Sequence, residues 1–486
     1  MMELISRDLL VGGRWVPADA GAVIDVHDPA TGERIGRSAL AGTTDVEAAA
    51  QFAVTAQKQW AAMHADERAA ILRDAANLVD DRIDAISQAL TLEQGKPLAD
   101  SRKEIAFGAE VLRYYAEEGR RIRGSMRSSV RRDMRSLVGY SPVGVVAAIV
   151  PWNYPVDLYC WKVAPALAAG CAVIAKPPVE TPLAIGLVAA ALTEAGVPEG
   201  VLADLPGDAE VGAYLCAHPA VRMVTATAST ATGQAIMRAA ADGIKRLSLE
   251  LGGHTPLIVL DDADLEEAAA GALRRSFSNM GQICISVNRV LVADAVADDF
   301  VEALADGVGK LELGHGLEPG VAYGPVLNET VRSRARIHTD DAVQRGGRLV
   351  VGGSPPSGAA YERGTFFLPT VIDDVPDSAR VMTEETYGPV AAVHRCGTAA
   401  ELLAVANSLP YGLAAYVYSE DLERAWAFAD RVEAGSVGIN VNDVTELQAP
   451  FGGWKLSGLG RELGPEGLQA YLETRHLRMR VRPLDL

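Results

Sequence analysis

Four short apolar runs punctuate the chain between residues 145 and 260, and helical stretches separate most of them. Val145 to Val150 ends at Pro151, and Ala172 to Ala175 ends at Lys176-Pro177-Pro178; Val221 to Thr225 and Leu257 to Leu260 follow. Strands that alternate with helices must pair in parallel through crossover connections. The expected fold is therefore α/β, with a doubly wound sheet that binds ligands beyond the carboxyl ends of its strands. Asn153 and Lys176 fall just after two of these runs, where a cofactor cleft would lie. Upstream, residues 45 to 120 read as helices, with Ala61, Leu72, Ala75 and Leu78 at helical spacing. A second alternating region runs from about residue 254 to 455.

A chain of 486 residues exceeds one simple core, and two or three domains are expected. Forty-five basic against sixty-three acidic residues give a formal charge of −18, which argues against nucleic acid or an anionic membrane surface as the main partner. No apolar stretch has the length of a membrane span, and the acidic N-terminal segment does not read as a signal peptide. The cysteines Cys160, Cys171, Cys216, Cys284 and Cys396 lack the spacing of a zinc site or redox dithiol. A reducing cytoplasm is the expected compartment, and no metal is expected.

Three segments carry candidate chemistry. Cys284 ends the run Asn279-Met280-Gly281-Gln282-Ile283-Cys284; Glu250 lies in Leu249-Glu250-Leu251-Gly252-Gly253; Asn153 lies in Pro151-Trp152-Asn153-Tyr154-Pro155. A thiolate adds to a carbonyl carbon and leaves a thioester that water can still cleave. A side-chain amide such as Asn153, with the backbone N–H of Cys284, would stabilise the oxyanion formed on addition. Glu250, framed by leucines and glycines, would have a raised pKa suited to activating water. Each residue has a simpler reading: a small buried thiol, a strand-end carboxylate and a turn-former between prolines.

Taken together, the three segments resemble the NAD(P)-dependent aldehyde dehydrogenase superfamily in its non-acylating form. Further matches extend over nearly the whole chain: Glu384-Glu385-Thr386-Tyr387-Gly388-Pro389, Asn407 with Tyr411-Gly412-Leu413, and Pro450-Phe451-Gly452-Gly453. The resemblance implies a Rossmann-like cofactor domain (1–122 and 142–253) and an α/β catalytic domain (254–469). It also implies a small β oligomerisation arm (123–141 and 470–486), hence a homodimer or homotetramer. An edge strand in such an arm must be covered to avoid aggregation, which is an independent reason for pairing.

For NAD or NADP, the resemblance points to Pro151, Trp152, Lys176, Val179, Gly207, Ser229, Gly233, Leu251, Glu385 and Tyr387. Val179 stands where NAD-preferring relatives have Glu; a valine does not repel a 2′-phosphate, so NADP is expected to be accepted alongside NAD. Ser229 falls at the expected start of a helix, which favours phosphate or simply marks an N-cap. Ala228 replaces the family's glycine there.

Tunnel positions carried over from relatives are Tyr154, Asp157, Leu158, Trp161, Ile283, Ile285, Asp443, Thr445 and Phe451. Most are apolar or aromatic, and succinate-semialdehyde oxidisers resemble this segment but carry Arg at the place of Trp161. The expected substrate is a medium-sized apolar or aromatic aldehyde. Asp157 and Asp443 beside aromatic rings would suit a cationic amino-aldehyde or betaine aldehyde, unless they form a solvated rim. A competing reading is a cysteine-dependent esterase or thioesterase without redox chemistry, which would need a histidine base beside Cys284.

Overall fold

The computed structural model describes residues 5–481. An eight-stranded sheet is built around the strand Val145–Ile149, with Ala172–Lys176 and Leu202–Asp204 on one side and Val221–Ala228 and Arg246–Leu251 on the other. These five strands pair in parallel, and Val145–Ile149 is buried along its whole length. Burial on both faces explains why the run is continuously apolar rather than alternating. Chain order reverses on either side of Val145–Ile149, so the sheet has a switch point between that strand and Val221–Ala228.

Segments distant in sequence complete both edges of this sheet. The short strands Leu9–Val11 and Arg14–Val16 add antiparallel beyond Leu202–Asp204. At the other edge Gly458–Leu459 pairs antiparallel with Arg246–Leu251, setting Gly458 opposite Glu250. Gly458 has φ +129°, and a Cβ there would come within 1.9 Å of the Leu249 carbonyl oxygen, so only glycine fits.

Four helices, Thr43–Ala62, Ala65–Asp81, Ile83–Gln94 and Leu98–Gly119, occupy the expected helical region. They pack with the helix Pro155–Ala169, whose start is set by Pro155 and whose end is set by Gly170 in a left-handed C-cap. Trp60, fully buried, donates its indole N–H to the Leu167 carbonyl at 2.9 Å and fastens the first helix to this one.

All but the last residue of the run at 257–260 lies in the strand Thr255–Val259, which belongs to a second, seven-stranded sheet rather than to the first. There Val287–Ala293 and Ala414–Tyr418 flank it, and all strands but Arg348–Val351 pair in parallel. A separate ribbon pairs Met134–Pro142 antiparallel with Leu472–Arg480 over nine residues, with Ser125–Arg127 on the outer side. Residues 482–486, which fall within the expected arm, lie outside the described residues. Among the described residues no helix is long and apolar enough to cross a membrane.

Candidate active site

Cys284 sits in the loop leading into the strand Val287–Ala293, directly after a tight turn in which Asn279, Met280 and Gly281 all have left-handed φ, 48°, 56° and 72°. A Cβ at Gly281 would lie 2.3 Å from the Gly388 carbonyl oxygen, so the glycine of the motif is a steric requirement. Gln282 clamps the turn: its amide donates to the Asn279 carbonyl at 3.0 Å and its oxygen accepts from the Leu327 N–H at 2.8 Å. The Gly-Gln-Ile-Cys frame thus aims the thiol rather than merely accompanying it.

Asn153 lies in the loop between Val145–Ile149 and Pro155–Ala169 and is 1% exposed. Its Nδ2 donates to the Gln282 carbonyl at 3.1 Å, which ties it to the cysteine turn and leaves the second amide hydrogen unspent. Among the described residues the Cys284 N–H has no protein acceptor, so the two expected oxyanion donors are both available.

The Asn153 backbone is held in turn by groups that sequence reading missed. Lys96 Nζ donates to the Asn153 carbonyl at 2.8 Å and to Glu104 Oε2 at 2.5 Å, and lies 3.8 Å from the centre of the Tyr154 ring. Glu104 Oε1 accepts from the N–H of Val156 at 2.9 Å. Both charged side chains are fully buried. Burial pushes the Glu104 carboxyl up, and Lys96 opposes that shift. The available signal was Lys96 itself, a charge set between the C-cap Gly95 and Pro97. Removing one partner of a buried pair strands the other charge. Lys96→Met is therefore expected to destabilise the fold by about 3–5 kcal/mol. Thermal unfolding would show a fall in Tm, partly restored by adding Glu104→Gln.

Glu250 is 2% exposed, near the end of the strand Arg246–Leu251. Burial, and then the charge of Glu462, raise its pKa to about 7; the Cys284 thiol, Lys162 and Thr227 pull the other way. Neither carboxylate oxygen has a hydrogen-bond partner. Lys162, also buried, donates to Glu462 at 2.9 Å and to Thr227 at 2.7 Å, compensating the second carboxylate nearby. Burial and the Glu250 charge push the Cys284 thiol well above its ordinary range. Two anions side by side in a low-dielectric site are unfavourable, so the thiol and carboxyl compete for charge.

A cleft of about 860 Å³ opens at the sheet's switch point, beyond the ends of Val145–Ile149 and Val221–Ala228. It is bordered by Pro151, Trp152, Lys176, Val179, Gly207, Ser229, Glu385, Tyr387, Glu250 and Cys284. Gly212, Ala213, Ala235 and Ala239, all small, are among its lining residues, which leaves room for a flat ring. Ser229 caps the helix Thr230–Ala240, accepting from the Thr232 N–H at 3.2 Å, and that helix start faces the cleft. Lys176 Nζ donates to Gly207 at 2.5 Å and Pro177 at 3.3 Å, keeping one hydrogen for a ligand. Glu385 accepts from the Gly253 N–H at 3.1 Å, and burial raises its pKa to about 7. Small lining residues, a helix start and a half-buried lysine together fit a dinucleotide. Gly233 and Leu251, also expected in the cofactor site, are buried beside the cleft. They pack on each other so closely that a Cβ at Gly233 would meet Leu251 at 2.5 Å.

On the other side of Cys284 a cavity of about 340 Å³ brings together Asn153, Tyr154, Asp157, Leu158, Trp161, Ile283, Ile285, Asp443, Thr445 and Phe451. Trp161 packs edge-on against Phe451 and Phe107, with ring centres 5.6 and 6.4 Å apart. Cys284 borders both cavities. Both acids have surroundings that compete with a cationic substrate. Asp443 pairs with Arg275 at 3.0 Å, and burial beside Glu104 drives the Asp157 carboxyl well up toward its neutral form. Asp157 is half-buried, with one of its carboxylate oxygens buried without a partner. Among the described residues no histidine borders either cavity, whereas a cysteine hydrolase needs a histidine base beside its thiol.

Known proteins agree with this geometry. The aldehyde dehydrogenase family model matches residues 15–477. The chain is 43% identical over 477 residues to a succinate-semialdehyde dehydrogenase [NADP(+)] of Escherichia coli, covering 98% of each. It is also 43% identical over 476 residues to a glutarate-semialdehyde dehydrogenase of Pseudomonas aeruginosa, again covering 98% of each. A solved Staphylococcus aureus betaine aldehyde dehydrogenase in complex with NAD+ superposes with a TM-score of 0.96 at 35% identity, covering 98% of this chain and 96% of that one. With its two large sheets, its switch-point cleft and its cysteine between two cavities, the chain belongs to the aldehyde dehydrogenase family and is an NAD(P)-dependent enzyme of aldehyde oxidation.

Proposed function

We propose that the chain oxidises an aldehyde acid to the corresponding dicarboxylic acid, through a Cys284 thioester hydrolysed with Glu250 as base. The position of the Cys284 sulfur between a dinucleotide-sized cleft and an aldehyde-sized cavity carries the proposal. Two relatives named for succinate and glutarate semialdehydes, at 43% identity, support a substrate with a second acid group. They turn the reading away from the neutral apolar or aromatic aldehyde expected at first. The pairing of Asp443 with Arg275 removes the case for betaine aldehyde or an amino-aldehyde.

The Cys284 thiol releases its proton to solvent as its sulfur bonds to the carbonyl carbon. The oxygen takes up the electron pair and accepts hydrogen bonds from Asn153 Nδ2 and the Cys284 N–H. The nicotinamide, when bound, supplies the acceptor for the hydride. Collapse of the oxyanion leaves a thioester on Cys284. Glu250 removes a proton from water; the hydroxide adds to the thioester, the C–S bond breaks, and the leaving thiolate takes up the proton held by Glu250, which restores both groups. Lys176, Ser229 and Glu385 would hold the dinucleotide, with Trp152 and Tyr387 at the ring end. Val179, which leaves room for a 2′-phosphate without repelling it, supports NADP alongside NAD.

A homodimer or homotetramer is part of the same proposal. The ribbon Met134–Pro142 with Leu472–Arg480 leaves Met126, Leu477 and Met479 about half exposed or more, apolar surface suited to a second subunit.

Mixing purified protein with an aldehyde acid and NAD or NADP should raise the absorbance of reduced nicotinamide. Absence of that signal with either cofactor would refute the reading. Because Glu250 must be ionised to activate water, turnover limited by hydrolysis should fall as pH drops through about 7. Below that point the fall should approach tenfold per pH unit, about what titration of a single base gives. A flat profile between pH values of about 5 and 8 would exclude Glu250 as the base.

A further inference from the structure

The charged side chains around the tunnel are nearly all compensated. Lys103 pairs with Asp100 at 2.8 Å, Arg275 with Asp443 at 3.0 Å, and Glu104 with Lys96. Asp157 is driven toward its neutral form. Arg274 is different: it borders the same cavity, is exposed, and has no ion-pair partner among the described residues. It stands in the last turn of the helix Leu265–Phe277. The wall formed by Trp161, Phe107 and Phe451 is aromatic and presents no cation.

We propose that Arg274 receives the distal carboxylate of the substrate at the tunnel mouth, while an apolar spacer lies along Trp161, Phe107 and Phe451. This rests on the aldehyde-oxidising role of Cys284 and names the substrate class it serves: aldehyde acids whose two ends are separated by an aromatic ring or an extended methylene chain. A guanidinium offers a planar fork of donors that matches a carboxylate, and at a half-open site the pair retains useful strength. A short aldehyde acid would have to leave its charge against the aromatic wall, without a partner.

The test compares matched substrates, para-carboxybenzaldehyde against para-methylbenzaldehyde and adipate semialdehyde against hexanal. The readout is the acid-to-neutral ratio of kcat/KM in the wild type, Arg274→Ala, Arg274→Glu and Arg274→Lys. The wild type should favour the acids. Arg274→Ala should lower the ratio about tenfold through KM, Arg274→Glu should lower it further, and Arg274→Lys should restore part of it. Raising ionic strength should erode the wild-type ratio and leave that of Arg274→Ala unmoved. Arg274 is exposed, so these substitutions leave folding intact. Wild-type protein that oxidises neutral aldehydes as well as acids, or a ratio unmoved by Arg274→Ala, overturns the assignment while Cys284 chemistry stands. Failure of every aldehyde to reduce either cofactor overturns both.

Discussion

Replacing Cys284 by alanine is expected to end reduction of cofactor by aldehyde, with a loss of at least about ten-thousandfold in kcat. The reason lies in the alternatives available to the protein. Cys160, Cys171 and Cys396 are buried and border neither cavity, and burial pushes their thiols up, Cys171 to about 11 and Cys396 to about 12. Cys216 borders the cleft, but it sits on the helix Ala209–Ala217 and does not reach the tunnel. Without a nucleophile the carbonyl carbon stays trigonal, and hydride has no oxyanion to expel it. Because the thiol occupies a half-buried position, the variant should retain its Tm and still bind dinucleotide, which separates lost chemistry from lost structure. Residual turnover within tenfold of wild type would mean that another group forms the covalent bond.

The second large effect belongs to Glu250→Gln. Gln keeps the shape of the side chain and removes its basicity. Steady turnover should fall about a hundred- to thousandfold, the usual share of a general base. The signature is kinetic rather than a matter of size. Oxidation precedes hydrolysis, so a burst of reduced cofactor close to one equivalent per site should survive in the variant. Mass spectrometry of the quenched protein should then find the acyl group on Cys284. If the burst disappears too, Glu250 is needed for removing the thiol proton as well as for activating water. Undiminished steady turnover would remove it from hydrolysis altogether.

The candidate chemical groups were legible because each is held by its immediate neighbours. Gly281 and Gln282 shape the turn before Cys284 within a few residues, so the motif carries its own geometry. The central strands were legible for a similar reason: burial on both faces leaves an unbroken apolar run. Strands of three residues, such as Leu9–Val11, are too short to show any period, and their place in the sheet is fixed by partners almost two hundred residues away. Charge state was the least legible property. Asp443 reads as a free acid until Arg275 is found beside it, 168 residues earlier in the chain. Lys96 reads as a surface lysine until folding brings it to the carbonyl of Asn153 and to Glu104. Compensation of this kind is a property of three-dimensional neighbours, and no local pattern encodes it.

The pairing of Glu250 with Gly458 has a consequence for how the enzyme comes into being. A nascent chain that has just released Leu251 from the ribosome already owns five parallel strands and can begin to collapse around them. Yet the outer flank of its carboxylate strand stays open, and both the thiol and Glu462 have still to emerge. Vectorial synthesis therefore covers the water-activating carboxylate last, some two hundred residues after the carboxylate itself is made.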